Sequence, residues 1–173
     1  MMEEVLLRPA SFTPWLRAAQ YGTPDTIREL NEAHARREHD TAPKTTLETA
    51  ARNGHLDVLR WYYDHPEQLG AQGRRLLTHD LVPAMAAASG GHLHVLNWLA
   101  GLEGCTPFEG AVCGVATTKG DLGVLQWAND RKPFARQPRD FVERMYQQAK
   151  ETGHQHITTW LEEVLRRPTA TPE

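Results

Sequence analysis

Four times along this chain a glycine is followed seven residues later by tryptophan: Gly54 and Trp61, Gly91 and Trp98, Gly120 and Trp127, Gly153 and Trp160. A looser copy centres on Gly22, and the five glycines stand 32, 37, 29 and 33 residues apart. A period of about 33 residues marks a chain assembled from one small unit, repeated. A unit that short cannot cover its own apolar surface, so the copies must stack and share a core. The repeat therefore constrains architecture strongly and leaves activity open.

Aligned on the glycines, other columns match as well. Four residues before the glycine stand Ala18, Ala50, Ala87, Ala116 and Ala149. Four after it come Thr26, Val58, Val95, Val124 and Ile157, and five after it Ile27, Leu59, Leu96, Leu125 and Thr158. Histidine follows the glycine in three copies, as His55, His92 and His154. RNGHLDVLRW, SGGHLHVLNW and TKGDLGVLQW are one pattern, with YGTPDTIREL and TGHQHITTWL as looser versions at the two ends.

Helix geometry gives these columns a meaning. Ahead of each glycine lies a short alanine-bearing stretch such as VPAMAAASG, which favours a first helix. Thr45 or Thr46 offers an N-cap, and Pro83 suits a first turn. The glycine then ends that helix, because the C-terminal boundary often needs a positive φ that glycine adopts without a Cβ clash. Beyond it, apolar residues two, four, five, seven and eight positions on mark a second helix with a wide apolar stripe. Asp57 and Asp121 fall near its start, where the helix dipole favours an acid. The tryptophans then read as shared core rather than as an aromatic ladder for sugars or bases. The expected fold is all-α, with about five helix pairs in one domain over residues 1–165 and a flexible tail, RRPTATPE, over 166–173. All variation in the period falls in the connectors, such as DHPEQLGAQGRRLLTHD and DRKPFARQPRD, as loops allow.

Helix, glycine-histidine-leucine turn and helix, with alanine four before the glycine, resembles the ankyrin repeat, in particular divergent arrays with a GHLxVLxWL signature. The TPLHxA opening of that family is partly present as Thr13-Pro14-Trp15-Leu16-Arg17-Ala18, Thr45-Thr46-Leu47 and Val82-Pro83-Ala84. The chain departs from the family in two ways. Leu16, Glu48, Met85, Gly114 and Gln147 replace the TPLH histidine, and no GADVNAxD finger segment is present. The resemblance covers about Phe12 to Leu165 and implies an ankyrin-like solenoid with irregular connectors.

Composition excludes several function classes. The formal charge of -3, from 22 acids and 19 bases, gives no general pull toward nucleic acid or anionic lipid. The basic pairs Arg36-Arg37 and Arg74-Arg75, and the run Arg131, Lys132, Arg136 and Arg139, read as solvated loop faces. No apolar run is long enough to cross a bilayer, and the opening MMEEVLLRPASF lacks a signal-peptide core, so an intracellular protein, cytoplasmic or nuclear, is expected. Cys105 and Cys113 are too few for a disulfide framework and read as reduced thiols. His92 with His94 and His154 with His156 stand two apart, which on a helix points them to different faces, so neither a metal nor a cofactor is expected. No phosphate-cradling loop, nucleophile elbow or HExxH is present, and catalysis has no positive warrant.

Partner binding is the expected function. By the resemblance, ankyrin arrays recognise other proteins through a concave side made by the loop before each first helix and by that helix's exposed end. These positions lie ten, two and one before each glycine. They are Phe12, Gln20 and Tyr21; Lys44, Arg52 and Asn53; Leu81, Ser89 and Gly90; Gly110, Thr118 and Lys119; Glu143, Glu151 and Thr152. Phe12 and Tyr21 are aromatic anchors of the hot-spot type, so the N-terminal half is expected to dominate affinity. One alternative is a small-molecule or catalytic pocket in the groove around Tyr21, Glu48, Arg52 and His79. Another is a structural module that self-associates through its ends.

Overall fold

The computed structural model describes residues 14–35 and 44–166. Among them the protein is helical, with no strand. Five helix pairs follow the glycine period: α1 (Pro14–Tyr21) with α2 (Pro24–Ala35), α3 (Lys44–Arg52) with α4 (Leu56–Asp64), α6 (Val82–Ser89) with α7 (Leu93–Ala100), α8 (Glu109–Lys119) with α9 (Leu122–Arg131), and α10 (Arg139–Glu151) with α11 (Gln155–Arg166). The longest described connector is not bare loop. It winds through a 3-10 segment, Pro66–Gln72, and the single turn α5 (Arg75–Thr78), while a shorter 3-10 turn, Phe134–Arg136, precedes α10. Helix α11 runs through Arg166, one residue into the expected tail; the rest of that tail, like Phe12, lies outside the described residues.

Within each pair the two helices pack on one another, and the first helices touch in sequence, α1 on α3, α3 on α6, α6 on α8 and α8 on α10. Every alanine four before the glycine is fully buried, because only a small side chain lets adjacent first helices approach so closely. Val58, Val95, Val124 and Ile157 are fully buried in the second helices, as are Leu59, Leu96 and Leu125. Trp61 and Trp127 are buried, while Trp98 and Trp160 pack half-buried against the same core. The tryptophan column is thus core, and Trp127 Nε1 donates to Asn97 Oδ1 of the preceding pair at 2.7 Å.

The turns hold more than the helix stop read from the sequence. Gly22, Gly54, Gly91, Gly120 and Gly153 all have φ between 56° and 78°, the left-handed region expected of them. In the three copies where histidine follows the glycine, its side chain bonds across to the preceding copy. His55 Nε2 donates to Gln20 O at 3.0 Å, His92 Nε2 to Arg52 O at 2.9 Å and His154 Nε2 to Thr118 O at 3.0 Å, each reaching back to the end of the preceding copy's first helix. His94 and His156, two residues further on, donate to Gly54 O and Gly120 O, both at 2.9 Å. Carbonyls that a helix end leaves without an intrahelical partner are therefore satisfied by the next copy. Where the fourth copy has aspartate instead, Asp121 caps its own helix by accepting from Val124 N at 3.0 Å. The expected cap at Thr45 or Thr46 is not made, since α3 already includes both and Thr46 is buried.

The fifth copy departs from the pattern in three columns. Its outward positions, three and seven before the glycine and five after it, are Lys150, Tyr146 and Thr158, where inner copies bury Ala51, Leu47 and Leu59. Tyr146 Oη donates to Glu162 Oε1 at 2.9 Å across this surface, and that bond raises the phenol pKa.

Candidate functional site

The faces of the first helices turned away from their partners form one surface. On each first helix the stripe falls nine, six, five and two residues before the glycine, which is one face at helical spacing. On α3 it carries Glu48 and Arg52, on α6 Val82, Met85, Ala86 and Ser89, and on α8 Val115; these side chains line a single depression of about 370 Å³. On α10 the corresponding positions, Arg144, Gln147, Gln148 and Glu151, line a second depression with Asp140 and Glu143. The centre of the surface is apolar. Val82 is 44% exposed and Met85 38%, unusual for side chains of this type when Val58, Val95 and Val124 are at 0%. Leu81, at 37%, extends the patch toward the connector.

Charge is arranged around that centre. Arg52 is paired with Glu48 along α3, and Arg144 with Asp140 along α10 at 2.7 Å. Both pairs are exposed, so they contribute little to stability and can be exchanged for partner contacts. Among the described residues Glu143 and Glu151 pair with no cation, nor do Lys44 and Lys119 with an anion. The surface therefore carries a charge-balanced Glu48–Arg52 pair at α3, is apolar at α6 and is net acidic at α10.

The residues expected from sequence divide into two groups. Arg52, Ser89, Glu143 and Glu151 line these depressions, and Leu81 edges the apolar patch. Lys44, Gln20 and Lys119 are exposed, and Tyr21 is 55% exposed at the α1 end. Asn53 and Thr118 are instead engaged by the scaffold. Asn53 Nδ2 donates to Ala19 O at 3.3 Å, and Thr118 Oγ1 accepts from Gln148 Nε2 at 2.7 Å while donating to Gly114 O. Gly90 serves packing too: a Cβ there would fall 2.2 Å from Arg52 O.

Sequence reasoning missed Val82, Met85, Ala86 and Val115. The signal was present: stepping back three, four and seven residues from the position two before each glycine reaches these columns. They share no residue type, so alignment alone did not mark them. Among the described residues no group of three or more histidine, cysteine or acidic side chains could hold a metal ion, and no helix is long and apolar enough to cross a membrane. Compared with known proteins, the chain matches no family model, and no curated protein matches it in sequence.

Proposed function

We propose that this chain is an ankyrin-like solenoid whose first helices line a concave groove, and that the groove holds a segment of another protein. The fully buried alanine column, the positive-φ glycines and the histidines that tie each copy to the one before support the stacking. The observation that carries the binding role is the solvent-facing apolar patch of Val82 and Met85 between charged flanks. Apolar side chains on an otherwise polar face, rimmed by charge, are the make-up of an interaction surface. This moves the expected anchor from Phe12 and Tyr21 to the centre of the array.

The small-molecule alternative has less support. Glu48 and Arg52 share the central depression, whereas His79 lines a different one with Arg75 and Asp80. The groups that would have to converge are spread over separate places. Affinity capture from source-cell lysate, comparing the natural chain with Met85→Glu and with the α4 surface variant Arg60→Glu, tests the proposal. The expected result is loss of specific partners with Met85→Glu alone. Equal capture by all three proteins overturns it.

A further inference from the structure

At the connector end of the helix row a second cavity, of about 300 Å³, opens between α8 and α10. Its floor is Cys113, 1% exposed, and its walls are Phe134, 2% exposed, and the half-buried Phe141. The walls are fixed in place. Phe134 N donates to Asn129 Oδ1 at 2.9 Å, and the Phe134 ring meets Phe141 and Trp160 edge-on at 6.1 and 5.8 Å. Position 110, on the cavity's lining, is glycine, whereas the equivalent residues in three other copies are Lys44, Leu81 and Glu143. A Cβ at Gly110 would touch nothing closer than Phe141 Cε2 at 4.0 Å, so the space is unfilled.

The lining decides what fits. Thiol and aromatic walls favour an apolar ring, and Lys132 and Arg144 also line the cavity. A free anion is poorly matched, because Arg144 is already paired with Asp140 and Glu109 lines the same cavity. Asp140 and Arg144 also border the α10 depression, so the cavity adjoins it. We propose that this cavity is the anchor site for an aromatic side chain of the protein segment that occupies the groove, a refinement that rests on the groove-binding reading above. Well-packed pockets with aromatic walls are where interface hot spots concentrate.

Selection from a phage library of random 12-residue peptides against the full chain, followed by anisotropy titration of the best fluorescein-labelled peptide, tests it. Enriched peptides should share one phenylalanine, tyrosine or tryptophan. Gly110→Leu, which plugs the cavity at a helical position that glycine only weakens, should bind the peptide at least about tenfold more weakly while melting no lower than the natural chain. Gly110→Ala, which adds a Cβ the site already accommodates, should bind as the natural chain does. The anchor proposal fails if Gly110→Leu binds normally while Met85→Glu does not, an outcome that leaves the groove reading standing. It also fails if Gly110→Ala loses as much as Gly110→Leu, which would trace the effect to the backbone. If no peptide is enriched, the groove reading falls with it.

Discussion

Tyr62 is the largest of the fully buried side chains, and among the described residues its hydroxyl has no hydrogen-bond partner. An orphaned buried hydroxyl costs roughly 1 to 3 kcal/mol, against which the ring contributes its apolar area and an edge-on contact with Trp61 at 5.2 Å. Tyr62→Phe should therefore leave stability unchanged or raise it by up to about 1 kcal/mol in urea denaturation. A loss above that range would mean the hydroxyl is bonded after all. Burial also pushes the Tyr62 phenol upward and lifts the Cys113 thiol from 9.0 to about 12. Both groups keep their protons in the folded state at pH values where the unfolded chain releases them. Stability should accordingly be flat in respect of these groups below about pH 9 and fall as pH rises from 9 toward 12. Tyr62→Phe should shallow that fall, because one of the two contributions is gone.

At the scale of the turn, the glycine is constrained twice in the inner copies and once in the last. Gly54, at φ +77°, would place a Cβ 2.7 Å from His92 Nδ1, whereas Gly153, at +76°, would meet nothing within 4 Å. Alanine at either site carries the backbone cost of a left-handed residue, about 1 to 2 kcal/mol. At Gly54 it must also dislodge the His92 ring from Arg52 O, a bond worth about 1 kcal/mol. Gly54→Ala should thus cost more than Gly153→Ala, and in a His92→Ala background the two costs should converge. Unfolding curves of these variants check both parts, and equal costs in the natural background would sink the account. The sequence made the glycine, the two helices and the core columns legible because the same side chains recur wherever packing is the same. It did not reveal the inter-copy role of histidine, since a residue that follows a turn glycine is equally compatible with bonding inside the turn. Nor did it reveal the cavity at Gly110, which depends on how the Phe134–Arg136 turn folds back onto α10.

Over the whole molecule, the proposed groove was half legible for the opposite reason. Arg52, Ser89 and Glu151 came from a column that the family resemblance singled out, but Met85 was read only as a missing TPLH histidine. Its exposure follows from the array: six before the glycine the second to fifth copies carry Glu48, Met85, Gly114 and Gln147, residues with no common packing demand because none faces a neighbouring copy's core. Stacking also predicts how stability is distributed. In the proposed solenoid each pair is held by its neighbours, so α6 through α9 have support on both sides while α10 and α11 have it on one. The free side of that last pair carries Lys150, Tyr146 and Thr158 where inner copies bury Ala51, Leu47 and Leu59, and Leu165 of α11 is 54% exposed. Openings that cost less than global unfolding should therefore begin at the ends. In native-state hydrogen exchange, amides of α6–α9 should be the slowest, with α1–α2 and α10–α11 exchanging first. Uniform protection across all five pairs would instead require contacts between distant copies, which a linear stack does not provide, and would overturn the solenoid reading.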